Sequence, residues 1–283
     1  MNMAQNRYRP IDVPAIATTR NALHAYARHM GNWLKVCRLR RKHWWHASLR
    51  PSLVGLTTGV VYASIDFEIV LNLQKSLLQV QTSTGQDRSE PLDGQSAAEL
   101  GNNIKTFLVS CGLNEQVVSE LPDDTTDTYS DYSAEQASVI SDALCSVTST
   151  MTHFRAGIRE ETSPIQLWPH HFDLSMLWLP GDKVPDRDLS DEDHADKQVN
   201  FGFTFGDEGI PEPYFYITAY PFPEALPAIP LPPGATWQSE GFSGVVLLYK
   251  DLIENNHEPE RYLLALWRSL LKAGREHMLE ETA

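Results

Sequence analysis

Phe172-Asp173-Leu174-Ser175-Met176-Leu177-Trp178-Leu179 is the stretch that decides the fold class. Successive side chains of a strand alternate across its pleat, so Phe172, Leu174, Met176 and Trp178 would face one way together. The same period of two recurs downstream at 201–205, 214–220 and 245–249. Upstream, 65–73 and 77–82 read as a hairpin about Gln74 and Lys75, and 44–49 reads as a further strand.

Helical periodicity surrounds these strands. In 19–38, Leu23, Ala27, Met30, Leu34 and Cys37 recur at steps of three and four and line one face. In 96–111, Ser96 and Glu99 form a capping box and Gly112 ends the pattern. In 133–155, Ala137, Ile140, Leu144, Val147, Met151 and Phe154 make an unbroken apolar stripe behind Ser133 and Gln136. A fourth helix opens at Pro259, where a missing amide donor costs nothing, and runs to Leu279.

Strands and helices in this proportion predict an α+β fold with antiparallel sheet flanked by about four helices. The order helix, three strands, helix and then helix, four strands, helix is what a diverged internal duplication would leave. A single α+β domain over 1–283 gives the same order; halves, if they exist, run 1–122 and 132–283.

The 283 residues are 42% hydrophobic and 21% charged, ordinary values for a folded chain. The net charge of −14 is unevenly spread. The first fifty residues hold ten Lys or Arg against one acid, Asp12, giving +9, whereas the remaining 13 basic and 36 acidic side chains give −23. The densest basic cluster is Arg38, Arg40, Arg41 and Lys42, which suits a helix end. The negative total speaks against general binding to nucleic acid or to anionic lipid. Three scattered cysteines, Cys37, Cys111 and Cys145, fit a reducing, cytoplasmic compartment. No run reaches the ~18 apolar residues of a membrane span, and 1–9 do not read as a secretory signal.

Several runs together resemble a bacterial family of unknown function with a His-Trp-Trp-His opening motif. They are His43-Trp44-Trp45-His46, Gly55-Leu56-Thr57-Thr58, Asp66-Phe67-Glu68-Ile69, Ser163-Pro164 with Phe172-Asp173-Leu174, and Tyr214-Phe215-Tyr216 with Ala219-Tyr220-Pro221. The resemblance covers most of the chain and implies no activity. It also implies a Ser-His-Glu run ahead of the strand near Phe201, where this chain has Ala195-Asp196-Lys197. Any activity resting on that run is in doubt here.

Two irregular segments stand out. Residues 182–197 carry seven acids and read as a solvated loop. Residues 221–234 carry six prolines and read as a stiff surface connection, or as a docking peptide for a partner with an aromatic groove.

Candidate chemistry is sparse. The sequence has no phosphate-cradling glycine loop, glycine-flanked serine nucleophile or zinc-spaced cysteine pair, and it names no cofactor or oligomeric state. On a strand, His43 and His46 fall on opposite faces, while His171 and Asp173 share one. Imidazole plus carboxylate is the minimal set for an acid–base pair or metal site, and His46 is the candidate third ligand. Tyr214, Tyr216, Thr218 and Tyr220 line one strand face. The leading expectation is a small organic ligand held by Trp44, His46, His171, Asp173 and Tyr216. The alternatives are a metal-assisted enzyme using His171 and Asp173, and a protein-interaction module built on the charge asymmetry and the prolines.

Overall fold

The computed structural model describes residues 7–191 and 193–279. Part of the basic N-terminal stretch (1–6), Glu192 of the acidic segment and residues 280–283 lie outside the described residues. The protein is α+β, with two antiparallel sheets and helices. It divides into two compact units. The first comprises Ile11–Cys145 with Gln166–Phe172, and the second Met1–Pro10, Ser146–Ile165 and Asp173–Ala283.

The first unit opens with helix α1 (Val13–Cys37). It starts earlier than the apolar stripe indicates, because Asp12 caps it, accepting from the Ala15 amide at 3.1 Å, and Pro14 sits in its first turn. A 3-10 turn (Lys42–Ala47) follows. Strands β1 (Arg50–Ser52), β2 (Gly55–Thr57), β3 (Phe67–Asn72), β4 (Leu77–Thr82) and β5 (Asp87–Pro91) then form one antiparallel meander in chain order. The β3–β4 hairpin is closed by Asn72, whose Oδ1 accepts the Lys75 amide at 3.1 Å. Helices α2 (Ala97–Ser110) and α3 (Glu115–Ser119) come next, and then α4 (Ala134–Ala156), whose residues up to Cys145 belong to this unit and whose residues from Ser146 belong to the second. Ser96 caps α2 through the Glu99 amide at 3.1 Å. Leu23, Met30, Trp33 and Leu34 of α1, Ile69 and Leu71 of β3, and Leu100 and Ile104 of α2 are all fully buried.

The structure corrects the reading of 44–49 as a strand. His43–His46 lie in the 3-10 turn, and His43 (φ 53°) and Trp44 (φ 55°) are left-handed. Extended pairing yields to local contacts: His46 Nδ1 accepts the Arg41 amide at 3.2 Å, and Trp44 stacks on His46 with centroids 5.5 Å apart.

Strands β6 (Glu161–Thr162) and β7 (Gln166–Trp168) follow α4. Leu167 of β7 exchanges two 2.9 Å backbone bonds with Leu49 inside the first unit. The second unit adds β8 (Asp173–Leu179), β9 (Gln198–Thr204), β10 (Tyr214–Tyr220), β11 (Ala235–Gln238) and β12 (Gly244–Leu248), then α5 (Tyr249–Glu254) and α6 (Pro259–Leu279). Its sheet runs β11-β12-β10-β9-β8-β6. Every residue of β8 is buried, so its alternation separates two covered faces rather than an inside from an outside. Phe154, Phe201 and Trp267 interlock as one aromatic core, with the first two rings 4.7 Å apart.

A second correction concerns 182–197. Its end is packed: Ala195, Asp196 and Lys197 are buried. The loop is closed at its base by Val184 N donating to Ala195 O (3.0 Å), Lys197 N to Asp182 O (3.0 Å), and a Lys183–Asp196 ion pair.

Arg275 on α6 grips Glu160 with two bonds of 2.6 and 2.7 Å. That guanidinium pulls the Glu160 carboxyl down to about 2 from its usual 4.5. A lowered carboxylate pKa adds stability above the unfolded-state value, and that stability disappears as pH falls through the window from 4.5 to 2. Because the pair is part-exposed, Glu160→Gln is expected to cost only about 1 kcal/mol at neutral pH. The difference from wild type should vanish near pH 2 in urea unfolding; a difference independent of pH would refute the assignment.

Candidate functional site

Helix α1 carries an apolar face and, beside it, a polar stripe of Arg28, Asn32 and Lys35 at steps of four and three. This stripe, with Ala25 and Gly31, forms one wall of a cleft of about 300 Å³ in the first unit. Residues 122–125 form another wall, and Pro169 and His170 the rim.

Each wall is held by identifiable contacts. Pro169 crosses α1 at Gly31, where a Cβ would lie 2.7 Å from Pro169 Cγ, so only glycine admits the crossing. His24 Nε2–H donates to the His170 carbonyl at 3.1 Å, and the His24 ring stacks on Phe172. Asp124 is anchored from below. Trp33 Nε1 can only donate, and it does so to His29 Nε2 at 3.1 Å. The ring proton of His29 therefore sits on Nδ1, which donates to Asp124 Oδ2 at 2.8 Å.

The electrostatics of the cleft are mixed. Arg28 and Lys35 are exposed cations on the helix wall, and Asp123 and Asp124 are carboxylates on the loop wall. Burial, and then the nearby His171, Lys35 and His24, pull the His170 imidazole down to about 4. Burial likewise lowers His24. At neutral pH His170 is thus an uncharged hydrogen-bonding group beside two permanent cations. Such a wall suits a small polar molecule with an anionic group.

The second unit has a wider concavity of about 490 Å³, lined by Lys197, Phe222, Glu224, His277 and Met278 among others. Part of the proline-rich segment forms its edge. The buried Lys197 ammonium donates to the Met278 carbonyl at 2.7 Å, satisfying the last turn of α6.

A family model described as a family of unknown function, DUF5996, matches residues 8–279. The chain belongs to this family. No curated protein matches the chain, and neither does any solved structure.

In this DUF5996 protein, the five residues expected to share a pocket are distributed over both units. Trp44, His46 and His171 belong to the first, and Asp173 and Tyr216 to the second. Within the first, Trp44 and His46 stack on each other, and His171 packs on His170 with centroids 4.3 Å apart. Within the second, the Tyr216 hydroxyl donates to Asp173 Oδ2. Burial, and then the charge of Asp173, hold the Tyr216 phenol well above its usual range. It stays protonated and serves as a donor rather than a base.

The common strand face expected for His171 and Asp173 is overturned. Strand β8 begins at Asp173, His171 sits in the preceding turn, and Phe172 between them is left-handed (φ 55°). Among the described residues, no three His, Cys, Asp or Glu side chains are grouped to hold a metal ion. Among the described residues, no helix is long and apolar enough to cross a membrane. Sequence reasoning grouped His170 with His171 and Asp173 and did not single out Arg28, Asn32 or Lys35. The readable signal for these three was a polar stripe at helical spacing beside the apolar face of an amphipathic helix.

Proposed function

We propose that this protein binds a small polar organic molecule bearing an anionic group, a carboxylate or a phosphate, in the cleft beside α1. The observation that carries this reading is the convergence of Arg28, Lys35, Asn32 and the uncharged His170 on one concavity of about 300 Å³. Arg28 and Lys35 supply charge, Asn32 and His170 supply directed hydrogen bonds, and Ala25, Gly31 and Pro169 supply apolar lining. Asp123 and Asp124 on the facing wall would select against a polyanion and favour a ligand that also carries a donor or an amine.

Thermal unfolding in the presence of a panel of carboxylic acids, amino acids and phosphorylated metabolites tests the reading. A ligand present at a hundredfold excess over its Kd adds about 2.7 kcal/mol to stability. That gain should disappear in Arg28→Ala/Lys35→Ala, whose exposed side chains contribute little to folding. The proposal fails if no compound stabilises the protein, or if the double variant responds as wild type does.

A further inference from the structure

We infer that Asp124 recognises an ammonium group, so that the ligand of the cleft beside α1 is a zwitterion of the free α-amino acid class. The inference rests on the reading that this cleft binds an anion, and it assigns the other end of the ligand. Of the four charged side chains that line the cleft, Arg28, Lys35 and Asp123 are exposed, whereas the Asp124 side chain is only 5% exposed. A carboxylate enclosed to that degree ordinarily has its oxygens met by partners. Oδ2 is met by His29 Nδ1 at 2.8 Å. Oδ1 makes no hydrogen bond among the described residues, and it is not sealed from solvent. No ion pair joins Asp124 to Arg28 or Lys35 among the described residues. His29 does not supply a counter-charge, because Nε2 accepts from Trp33 and the ring carries a single proton, on Nδ1.

The carboxylate is also fixed in place. Helix α2 passes so close at Gly101 that a Cβ there would stand 2.9 Å from Asp124 Oδ2 and 2.7 Å from the His29 ring. The Thr125 carbonyl accepts the Ala98 amide at 3.0 Å, which ties the loop to the first turn of the same helix. With the carboxylate held from that side, a ligand bridges it to the cations of α1. An ammonium brings three N–H donors and the opposite charge, and such charge-assisted bonds are roughly twice as strong as neutral ones. A hydroxyl would satisfy the oxygen and leave its charge unmatched. A phosphate ester would bring up to about two negative charges towards Asp123 and Asp124. Arg28 and Asn32 lie one residue before and three residues after His29, on the turn that holds Asp124, and there they can take the attached carboxylate. The cleft of about 300 Å³ is at the lower end of the roughly 300–1,000 Å³ of small-molecule sites, which suits a single amino acid better than a nucleotide.

Calorimetric titration of the full chain with the L-amino acids tests the inference, followed by the α-hydroxy acid, the N-acetyl derivative and the amide of the tightest binder. The free amino acid should bind at least about tenfold tighter than each analogue, since each lacks one charge-assisted hydrogen bond. The α-hydroxy acid is the decisive analogue, because it keeps the size and the carboxylate and changes only the donor. Asp124→Asn keeps an acceptor for His29 and replaces the open oxygen with an amide donor. In that variant the amino acid and its α-hydroxy analogue should bind within about threefold of each other, with circular dichroism confirming the fold. The analogue series on the wild-type protein decides the matter even where that variant loses stability. Equal or tighter binding of the α-hydroxy acid would overturn the inference and leave the anion-binding reading standing. So would carboxylic acids or phosphorylated metabolites that bind when no amino acid does, and so would an undiminished preference for the amine in folded Asp124→Asn. If no anionic compound binds at all, both readings fall.

Discussion

Gly202→Ala is expected to cost about 3–5 kcal/mol of folding stability. Strand β9 lies between β10 and β8, and Gly202 is directly opposite both Tyr216 and Ser175. The Tyr216 side chain crosses the middle strand over Gly202 to donate to Asp173 on β8. A Cβ at residue 202 would stand 2.0 Å from Tyr216 Cζ and 2.4 Å from its hydroxyl. The ring cannot yield without abandoning the bond to Asp173, and the sheet on either side is buried and packed. Overpacking and loss of a charge-assisted hydrogen bond therefore add. Urea unfolding should show the full cost in the single variant. In a Tyr216→Leu background the extra cost of Gly202→Ala should shrink to about 1 kcal/mol, because the obstructing ring is gone. Additive costs in that cycle would remove the crossing tyrosine as the reason for the glycine.

His29→Ala is expected to destabilise the first unit by about 3 kcal/mol, for a different physical reason. The imidazole is almost fully buried and joins two groups that have no substitute for it. Trp33 Nε1 loses its acceptor inside the core, while the nearly buried Asp124 carboxylate loses its donor. The Trp33 ring also packs edge-on against Phe67 of β3, with centroids 5.3 Å apart, so its displacement reaches the sheet. Asp124→Ala should cost less, about 1–2 kcal/mol, since it removes the charge together with the bond. Both variants loosen the 122–125 wall, so both should weaken whatever the cleft binds. Chemical unfolding followed by tryptophan fluorescence gives the ranking, and equal costs for the two variants would contradict the buried relay.

These two positions also show where local sequence stops carrying information. A glycine at 202 reads as a weak point in a strand, and nothing near it mentions a tyrosine fourteen residues on. A histidine at 29 on an apolar helix face reads as core filler, and its acid partner is 95 residues away. The cleft has the same character. The spacing of Arg28, Asn32 and Lys35 was visible, but their meeting with Asp124 and His170 depends on contacts made far along the chain.

Helices and the main strands were readable because their causes are local. The fourth helix runs Pro259–Leu279 as its proline start and apolar period indicate. Ser96 caps α2 as its spacing requires, the 214–220 strand appears as Tyr214–Tyr220, and the α4 stripe is buried throughout. Strand β5 (Asp87–Pro91) had no apolar alternation to find, because an edge strand that is mostly exposed forms through its neighbour's hydrogen bonds. The 3-10 turn at Lys42–Ala47 replaced a strand because ring stacking and the Arg41–His46 bond outweighed the β preference of two tryptophans. Sequence alone thus determined the α+β class, the capped helices and the amphipathic strands, all set by interactions within a few residues. Tertiary structure alone decided which rings, carboxylates and cations meet. Those meetings depend on sheet order, on the close approach of Pro169 to Gly31 and of the Tyr216 ring to Gly202, and on other side-chain contacts between residues far apart along the chain, none of which has a short-range signature.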